Sequence, residues 1–524
     1  MNYNFNYLSY FLDKEQISID KTEFLFQIQS HPDYPSLLSI SDTLTFYNID
    51  NGAIRFDFTD LELLPNRFIA LLKKPAGNNR ELCFIEKKDN KYFITEDKVT
   101  NEISIVNLEN IWSGIVLLVE KSEFETSKLN TNKFALALPI LCLLVFLTVL
   151  IKTKNDLYSN LFLLFPVLGL LFSVAALKDL FGTKSELISN FCNFSASTSC
   201  ESIVGSKKWK IFSYINFSDL AIVFFSTQFL GLFIFLISGN YIDYFAIQSI
   251  LLFSAIPVML LSLYFQKFVE KKWCPICLVI IGVIVLEIIY LASFFEINFK
   301  FSLNSLLLFG LFFLIVTLIW QSLKGLLTNH KDLKESQLKV NRFIRNYEIF
   351  KNTLISKPKA ELPATPIVLG NKESKTIITI ITSPFCSYCK EAHEITERIL
   401  DKYQNDLQIK LVIKADLVKL DDDKKLFLSS LLHIYNTESN ESFRTKMNYW
   451  YEDKNIANWL NKYKSIDFDY AKIDAIYNSQ NNHCTQNELN YTPAIFINGY
   501  EYPKLYERPN LEFFINELIE DDNF

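Results

Sequence analysis

Two cysteines separated by two residues stand at the mouth of an apolar helix. The stretch is Trp273-Cys274-Pro275-Ile276-Cys277, followed at once by Leu278-Val279-Ile280-Ile281-Gly282-Val283-Ile284-Val285-Leu286. Such a pair can close a disulfide within one helical turn, and the unpaired N–H groups and dipole of a helix N-terminus favour a thiolate. A structural zinc site asks for a second pair nearby in a polar knuckle. Here the flank is membrane-like, which points to redox chemistry at a membrane surface; a pair of inert buried thiols is the other reading. Cys192 and Cys200 bracket seven mostly small polar residues, Asn193 to Ser199. That loop is flexible enough to turn one thiol outward and swing the other inward, or it holds a static disulfide. In Ser383-Pro384-Phe385-Cys386-Ser387-Tyr388-Cys389-Lys390 a strand leads into a helix. Cys386 then sits exposed at the helix N-terminus, and Cys389, one turn deeper, resolves mixed disulfides. Three pairs in one chain look like a relay. Cys83, Cys142 and Cys484 stand alone.

The elements that position these thiols fall into distinct blocks. The chain has 524 residues, half of them apolar, with 47 Phe concentrated in the middle, long enough for three or more domains of about 150 residues. A formal charge of −6 gives no basic footprint for nucleic acid. No metal site is expected, because His393 lacks two further ligands at suitable spacing; it reads as a solvated or hydrogen-bonded helix residue. Residues 1–125 read as an α/β domain whose start is not a signal peptide. It has a helix near 36–47 and strands near 67–72, 81–86, 92–95 and 111–119. From about 134 the chain changes solvent. Apolar runs at 134–151, 157–177, 220–242, 244–265, 274–295 and 301–323 are each near the ~20 residues that cross hydrocarbon, giving six spans. Glu287 interrupts one of them about two turns from its end, where snorkelling to the interface is expected. Residues 324–364 read as a charged linker punctuated by Pro358 and Pro363, with Pro366 just beyond. The alternation from 365 to 524 is that of an α/β domain: strand 375–381, the Cys386 helix, strand 407–414, a long helical region at 418–480, strand 494–497 and a last helix at 511–519.

An even number of spans puts the cysteine loops and both termini on one side. Disulfides persist outside the cytosol, which makes that side periplasmic or extracellular. The lysines of the cysteine-side loops, among them Lys178, Lys184, Lys207, Lys208 and Lys271, point the other way under the positive-inside rule. A first domain exported without a signal peptide is a second objection; it falls if the 134–177 hairpin does not cross twice.

Several motifs resemble known families. Cys192 and Cys200, then Ser206-Lys207, then a four-helix stretch whose last helix opens on Cys274-Pro275-Ile276-Cys277, resemble the vitamin K epoxide reductase family over roughly residues 157–323. The resemblance implies a dithiol that exchanges electrons with a quinone (menaquinone or ubiquinone) held in the bundle. Cys277 would face the quinone, Cys274 would be its partner, and Cys192 and Cys200 would shuttle electrons to a thioredoxin-like partner. The turn Tyr214-Ile215-Asn216-Phe217-Ser218-Asp219 departs from the Gly-Ile-Pro-like turn usual there, so no polar quinone anchor is assigned. Tyr491-Thr492-Pro493-Ala494-Ile495-Phe496-Ile497-Asn498-Gly499 resembles the cis-proline strand beside the active dithiol of thioredoxin-like proteins. The helical insertion before it is similar to the DsbA-like branch. This implies that Thr492 and Pro493 border the substrate, with a backbone edge on which an extended peptide can pair. Finally, His31-Pro32-Asp33-Tyr34-Pro35-Ser36-Leu37-Leu38 resembles the start of the papain-like cysteine peptidase domain of bacteriocin exporters. Tyr34 stands where the nucleophile belongs, and Leu82-Cys83-Phe84-Ile85 brings no His, which implies a catalytically dead domain with Cys83 as a small buried hydrophobe.

The expected architecture is therefore multidomain. A degenerate papain-like α/β domain (1–125) precedes an all-α transmembrane bundle (134–323), a linker (324–364), and a thioredoxin-like α/β fold with a helical insertion (365–524). The expected function is a multi-pass thiol oxidase of the cytoplasmic membrane that forms disulfides in reduced, cysteine-containing exported proteins or peptides. Electrons would run from Cys386 and Cys389 through Cys192 and Cys200 to Cys274 and Cys277, and so to the quinone pool. A peptide-export accessory whose first domain binds a cysteine-containing cargo, and a receptor or scaffold with purely structural disulfides, are the other classes.

Overall fold

Short amphipathic helices followed by alternating strands build the first domain. The computed structural model describes residues 5–17, 19–73, 80–89, 91–96, 99–120, 148, 156–177, 210–211, 215–295, 299–465 and 469–524. Helices α1 (Asn6–Lys14), α2 (Lys21–Gln29) and α3 (Leu37–Phe46) come first. Asp20 caps α2 through the N–H groups of Thr22 and Glu23, and Ser36 caps α3 through Ser39. Strands β1 (Asn51–Arg55), β2 (Arg67–Lys73), β3 (Arg80–Lys88), β4 (Lys91–Glu96), β5 (Val99–Ile103) and β6 (Trp112–Val119), the last preceded by α4 (Ile105–Ile111), form one sheet of order β1-β6-β2-β3-β4-β5. All its pairings are antiparallel. Alternate residues of β2 serve opposite faces. Ile69 joins Phe84 and Leu117 beneath the helices, while Phe68 and Ala70 join Cys83 and Trp112 on the other side. Cys83 is thus a packed core residue.

Five helices among the described residues are long and apolar enough to cross a membrane: 157–176, 219–238, 241–269, 275–294 and 303–344. They comprise α5 (Leu157–Leu161) with α6 (Leu164–Ala176), then α7 (Phe217–Ser238), α8 (Tyr241–Tyr264), α9 (Pro275–Phe294) and α10 (Leu303–Ile344). The run expected at 134–151, and the loop carrying Cys192 and Cys200, lie outside the described residues. In lipid no hydrophobic force drives helices together, so close packing and polar pairs must do it. Gly169 supplies the first, since a Cβ there would meet the Phe225 ring at 2.3 Å. Glu287 supplies the second, and the expectation that it snorkels is corrected. It is fully buried and accepts a hydrogen bond from Gln228 Nε2 at 3.0 Å, while the Tyr244 hydroxyl donates to the Gln228 carbonyl at 3.1 Å. An amide partner on α7 makes the bundle interior a better solvent for this carboxyl than a route to the interface.

The stretch read as a linker is largely helical. Helix α10 runs on without a break to Ile344, and α11 (Tyr347–Leu354), capped by Asn346, follows it. Lys, Glu, Gln and Leu dominate this segment and are strong helix formers, and no proline interrupts it before Pro358. Helix α11 belongs to the last domain's core: Phe350 stacks on Phe514 at 3.9 Å, with the rings 6° from parallel.

That last domain is a five-stranded sheet of order β13-β12-β10-β11-β9. Its strands are β9 (Val368–Gly370), β10 (Ile377–Thr382), β11 (Gln408–Ile413), β12 (Ala494–Ile497) and β13 (Tyr500–Glu501). β10 pairs parallel with β11, across the long helix α12 (Cys389–Tyr403), and antiparallel with β12. Between β11 and β12 lies an insertion of α13 (Asp422–Thr437), α14 (Asn440–Asp453), α15 (Ile456–Tyr463) and α16 (Tyr470–Gln486). Phe427, Trp450 and Trp459 seal it, with ring centroids 4.3 and 4.5 Å apart around Phe427. The β12–β13 hairpin turns on Asn498 and Gly499, both at positive φ (49° and 90°), the conformation an Asn-Gly hairpin favours. Helix α17 (Ile515–Glu520) closes the domain.

The first and last domains form one unit with residues 337–346. Phe46 stacks on Phe513 at 5.5 Å, and Lys402 donates to the Phe46 carbonyl at 3.0 Å. Arg345 bonds Gln27 at 2.7 Å and lies 3.8 Å over the Phe513 ring.

Candidate functional site

Strand β10 ends at Thr382, and the backbone then turns through Pro384 into α12. The turn is held from outside. Trp450 Nε1 donates to the Pro384 carbonyl at 2.9 Å, and Lys454 Nζ reaches the carbonyls of Pro384 and Cys386 at 3.2 and 3.3 Å. Cys386 lies ahead of the helix and is partly exposed, whereas Cys389 is its first residue and fully buried. The Cys389 sulfur accepts the Ser383 N–H at 3.4 Å. The Thr492–Pro493 peptide is cis, and the Thr492 carbonyl lies 3.5 Å from Cys386 Sγ. Thr492 and Pro493 therefore border the dithiol, as expected from the sequence. Beside them a groove of about 670 Å³ is lined by Glu391, Tyr491, Pro493, Lys504 and Leu505.

The two thiols differ in acidity. For Cys386, burial pushes the thiol up, but hydrogen bonding from Thr492 and Cys389 and the backbone N–H groups of Tyr388 and Cys389 outweighs it, so the net shift is downward. Burial dominates at Cys389 and raises it, although Thr382 and the Ser383 N–H partly oppose. This is the pattern of an attacking thiolate with a protonated resolving partner.

The second pair opens α9. Cys274 is the N-cap: its sulfur accepts the Cys277 N–H at 3.3 Å, and Pro275 fills the first helical position. Its own N–H is held at 3.0 Å by Gln266 Oε1, a buried amide in the π-helical turn Phe265–Val269, whose other end donates to Ser262. Cys274 is fully buried beside Ile276 and Ala176, while Cys277 is partly exposed and, like Phe172, Phe265 and Ile280, packs against that cluster. The remaining expected pair, Cys192 and Cys200, lies outside the described residues. Gln266, Trp450 and Lys454 escaped the sequence reading because each reaches its site from another helix. The π-turn at Phe265 leaves no trace in the apolar pattern.

Residues 160–292 match the vitamin K epoxide reductase family, and residues 363–517 match a family described as thioredoxin. The chain thus carries one domain of each kind, and both matches lie outside residues 1–125. No curated protein matches the chain. Among solved structures, oxidised BdbD from Bacillus subtilis is similar at 11% identity over 32% of this chain and 100% of that one, with a TM-score of 0.26. The thiol-disulfide exchange protein alpha-DsbA2 from Wolbachia pipientis is similar at 13% identity over 33% and 92%, TM-score 0.24. DsbA from Chlamydia trachomatis gives 15% identity over 31% and 96%, TM-score 0.22.

Proposed function

We propose that this chain is a membrane thiol oxidase that forms disulfides in exported proteins or peptides and delivers the electrons to a quinone. One observation carries the reading. Two Cys-x-x-Cys pairs, one in a vitamin K epoxide reductase family domain and one in a thioredoxin-like domain, each open a helix and each present one accessible and one buried thiol.

A substrate thiolate attacks Cys386 of the Cys386–Cys389 disulfide and displaces Cys389. A second substrate thiol then completes the substrate disulfide and leaves the Cys386–Cys389 dithiol. Cys386 next attacks the Cys192–Cys200 disulfide, Cys389 resolves the mixed disulfide, and the loop pair reduces Cys274–Cys277 in the same way. The surroundings of the pair fit a quinone: Cys277, its accessible thiol, borders the same apolar cluster as Phe172, Phe265 and Ile280. A quinone bound there would accept two electrons and two protons as the Cys274–Cys277 disulfide re-forms.

The packing of Phe46 on Phe513 and of Arg345 on Gln27 supports one membrane side for the first and last domains. That requires an even number of crossings, one more than the five described, as the run at 134–151 allows. The cargo-binding alternative loses ground, because the chain covers that surface itself. Arg342 stacks 4.6 Å over the Tyr34 ring and donates to the Gln29 carbonyl at 2.7 Å.

The test is quinone-coupled oxidation of a reduced peptide in membranes. Wild type should oxidise it only with quinone present, and Cys386→Ala and Cys277→Ala should each abolish the reaction. If Cys386→Ala stops peptide oxidation while a small dithiol still reduces quinone, the thioredoxin-like domain is the entry point. Unchanged oxidation in both variants would sink the proposal.

A further inference from the structure

We propose that the first domain is a brace: docked on the thioredoxin-like domain, it locks the joint between that domain and α10, and Arg345 is the pin. The relay it serves is the one in the reading above, on which that part of the inference rests. Helix α10 ends at Ile344 and α11 begins at Tyr347, so Arg345 and Asn346 are the two residues that separate them. Helix α11 is itself fixed to the last domain, since Phe350 stacks on Phe514 and Tyr347 donates to Asp521 Oδ2 at 2.8 Å. A swing of the thioredoxin-like domain about the end of α10 therefore turns at Arg345 and Asn346, the kind of element-terminal position that absorbs hinge motion.

The first domain grips both sides of this joint. The end of α2 takes three bonds from the end of α10. Arg345 donates to Gln27 Oε1 at 2.7 Å, Arg342 to the Gln29 carbonyl at 2.7 Å, and Asn341 Nδ2 to Ser30 Oγ at 3.3 Å. The end of α3 meets the last domain. Phe46 stacks on Phe513 with centroids 5.5 Å apart and planes 20° from parallel, and its carbonyl accepts from Lys402 Nζ at 3.0 Å. Arg345 belongs to both grips, because the guanidinium that bonds Gln27 also lies 3.8 Å over the Phe513 ring. A planar guanidinium can hold a hydrogen bond at its edge and a ring on its face at once, which an ammonium cannot. The two surfaces fit closely. A cavity of about 60 Å³ lies between them, lined by His31 and Asp42 from one side and Tyr403 and Glu517 from the other. Burial, with Asp42 of the first domain adding to it, pushes the Glu517 carboxyl up to about 7.

The grip leaves the dithiol open. Cys389 begins α12, whereas Lys402, which reaches the first domain, stands next to its last residue, Tyr403. That places the dock about 20 Å along the helix from the buried thiol. Among the described residues the first domain lines no part of the groove beside Pro493, so it is no lid over the substrate edge. Its effect is on reach. A domain held at a fixed joint samples far fewer orientations than one swinging on two free residues. The effective concentration of Cys386 at partner cysteines elsewhere in the chain is then set by the lock. The brace thereby speeds re-oxidation of the Cys386–Cys389 dithiol within the chain and leaves its reaction with outside thiols and disulfides unchanged. Arg345 and Phe46 are positioning residues; they take no part in the exchange of bonds.

The test uses the full-length chain in lipid nanodiscs, as wild type, Arg345→Met and Phe46→Ala. The first variant keeps the stem and removes the guanidinium; the second truncates a half-exposed ring on the other grip. Three quantities are read. Hydrogen–deuterium exchange reports the two docked surfaces, residues 21–46 and 398–403. Single-turnover re-oxidation of the Cys386–Cys389 dithiol with quinone reports reach, and attack of Cys386 on oxidised glutathione reports the thiol itself. In both variants exchange at both surfaces should quicken about tenfold, with β2, β3, β10 and β11 as protected as in wild type. Quinone-linked re-oxidation should slow about tenfold, and the glutathione rate should not change. Wild-type exchange at the two surfaces overturns the proposal. So does faster exchange with re-oxidation as quick as wild type or quicker, which would make the contact idle or inhibitory. Lost protection in β10 and β11 would mark Arg345→Met as misfolded, and Phe46→Ala then decides. If wild type itself shows no quinone-linked re-oxidation, the relay reading falls, and the brace is judged on exchange alone.

Discussion

The two cysteine pairs share one spacing and present opposite thiols. In the thioredoxin-like domain the first cysteine is accessible and the second buried; in the membrane bundle the first is buried and the second accessible. The difference is where the helix starts. Helix α12 begins at Cys389, so Cys386 stays in the turn ahead of it, whereas α9 begins at Pro275 and Cys274 becomes its cap. A shift of the helix start along the same four residues decides which sulfur meets a partner. The soluble pair thereby faces an extended peptide edge at Thr492, and the membrane pair turns its free thiol toward apolar side chains.

Thiol reactivity is the largest effect by which to break this comparison. In the reduced full-length chain, Cys386 and Cys277 should react with a maleimide about 10²-fold faster than Cys389 and Cys274, because burial blocks access to the sulfur. Mass-spectrometric labelling time courses check this, and equal rates within either pair would remove the asymmetry. Gln266→Leu comes next. It leaves the buried Cys274 N–H without an acceptor, at a cost of about 1–3 kcal/mol. Cys274 labelling should then quicken about tenfold, with Cys386 and Cys389 unaffected. Lys454→Met is the smallest. Removing an ammonium that bonds the Cys386 carbonyl and lies in the field of both thiols should raise the Cys386 pKa. Its labelling should slow about threefold at pH 6 and not at all at pH 9, since a group of this exposure is partly screened. The sign for stability follows from the depressed value. Thiolate stabilisation of the reduced domain is present above the ordinary thiol range and lost as pH falls through the lowered Cys386 pKa. Thiolate absorbance against pH, in wild type and variant, checks both.

Much of this was legible in the chain. Strand β12 and the Cys386 helix stand where the alternation and the Ser383–Lys390 motif placed them, and Thr492 lies against Cys386 as the Pro493 strand implied. The helical insertion was visible as one region from 418 to 480, and its division into four helices follows caps such as Asp421, Ser439 and Asn455. Helices α1 and α2 escaped, because short elements with interleaved polar residues give too weak a period. The connector folds as helix because Lys, Glu, Gln and Leu are strong helix formers and Phe350 packs into the last domain's core.

Glu287 and His393 show where the limit lies. The sequence by itself determined the solvent of each segment, the cysteine spacings and the turn chemistry, since these depend on composition and on contacts within a few residues. Only the tertiary structure decided that Glu287 finds Gln228 inside the bundle and that Gln266 holds Cys274. It alone brought Asn448, Glu397 and Arg444 together to fix one face of His393. Gln228, Gln266, Asn448 and Arg444 each reach their site from another helix, while Glu397 lies on the helix of His393 itself. Which face a helix turns toward its neighbour is set by the summed packing of the whole core, not by any local run of residues.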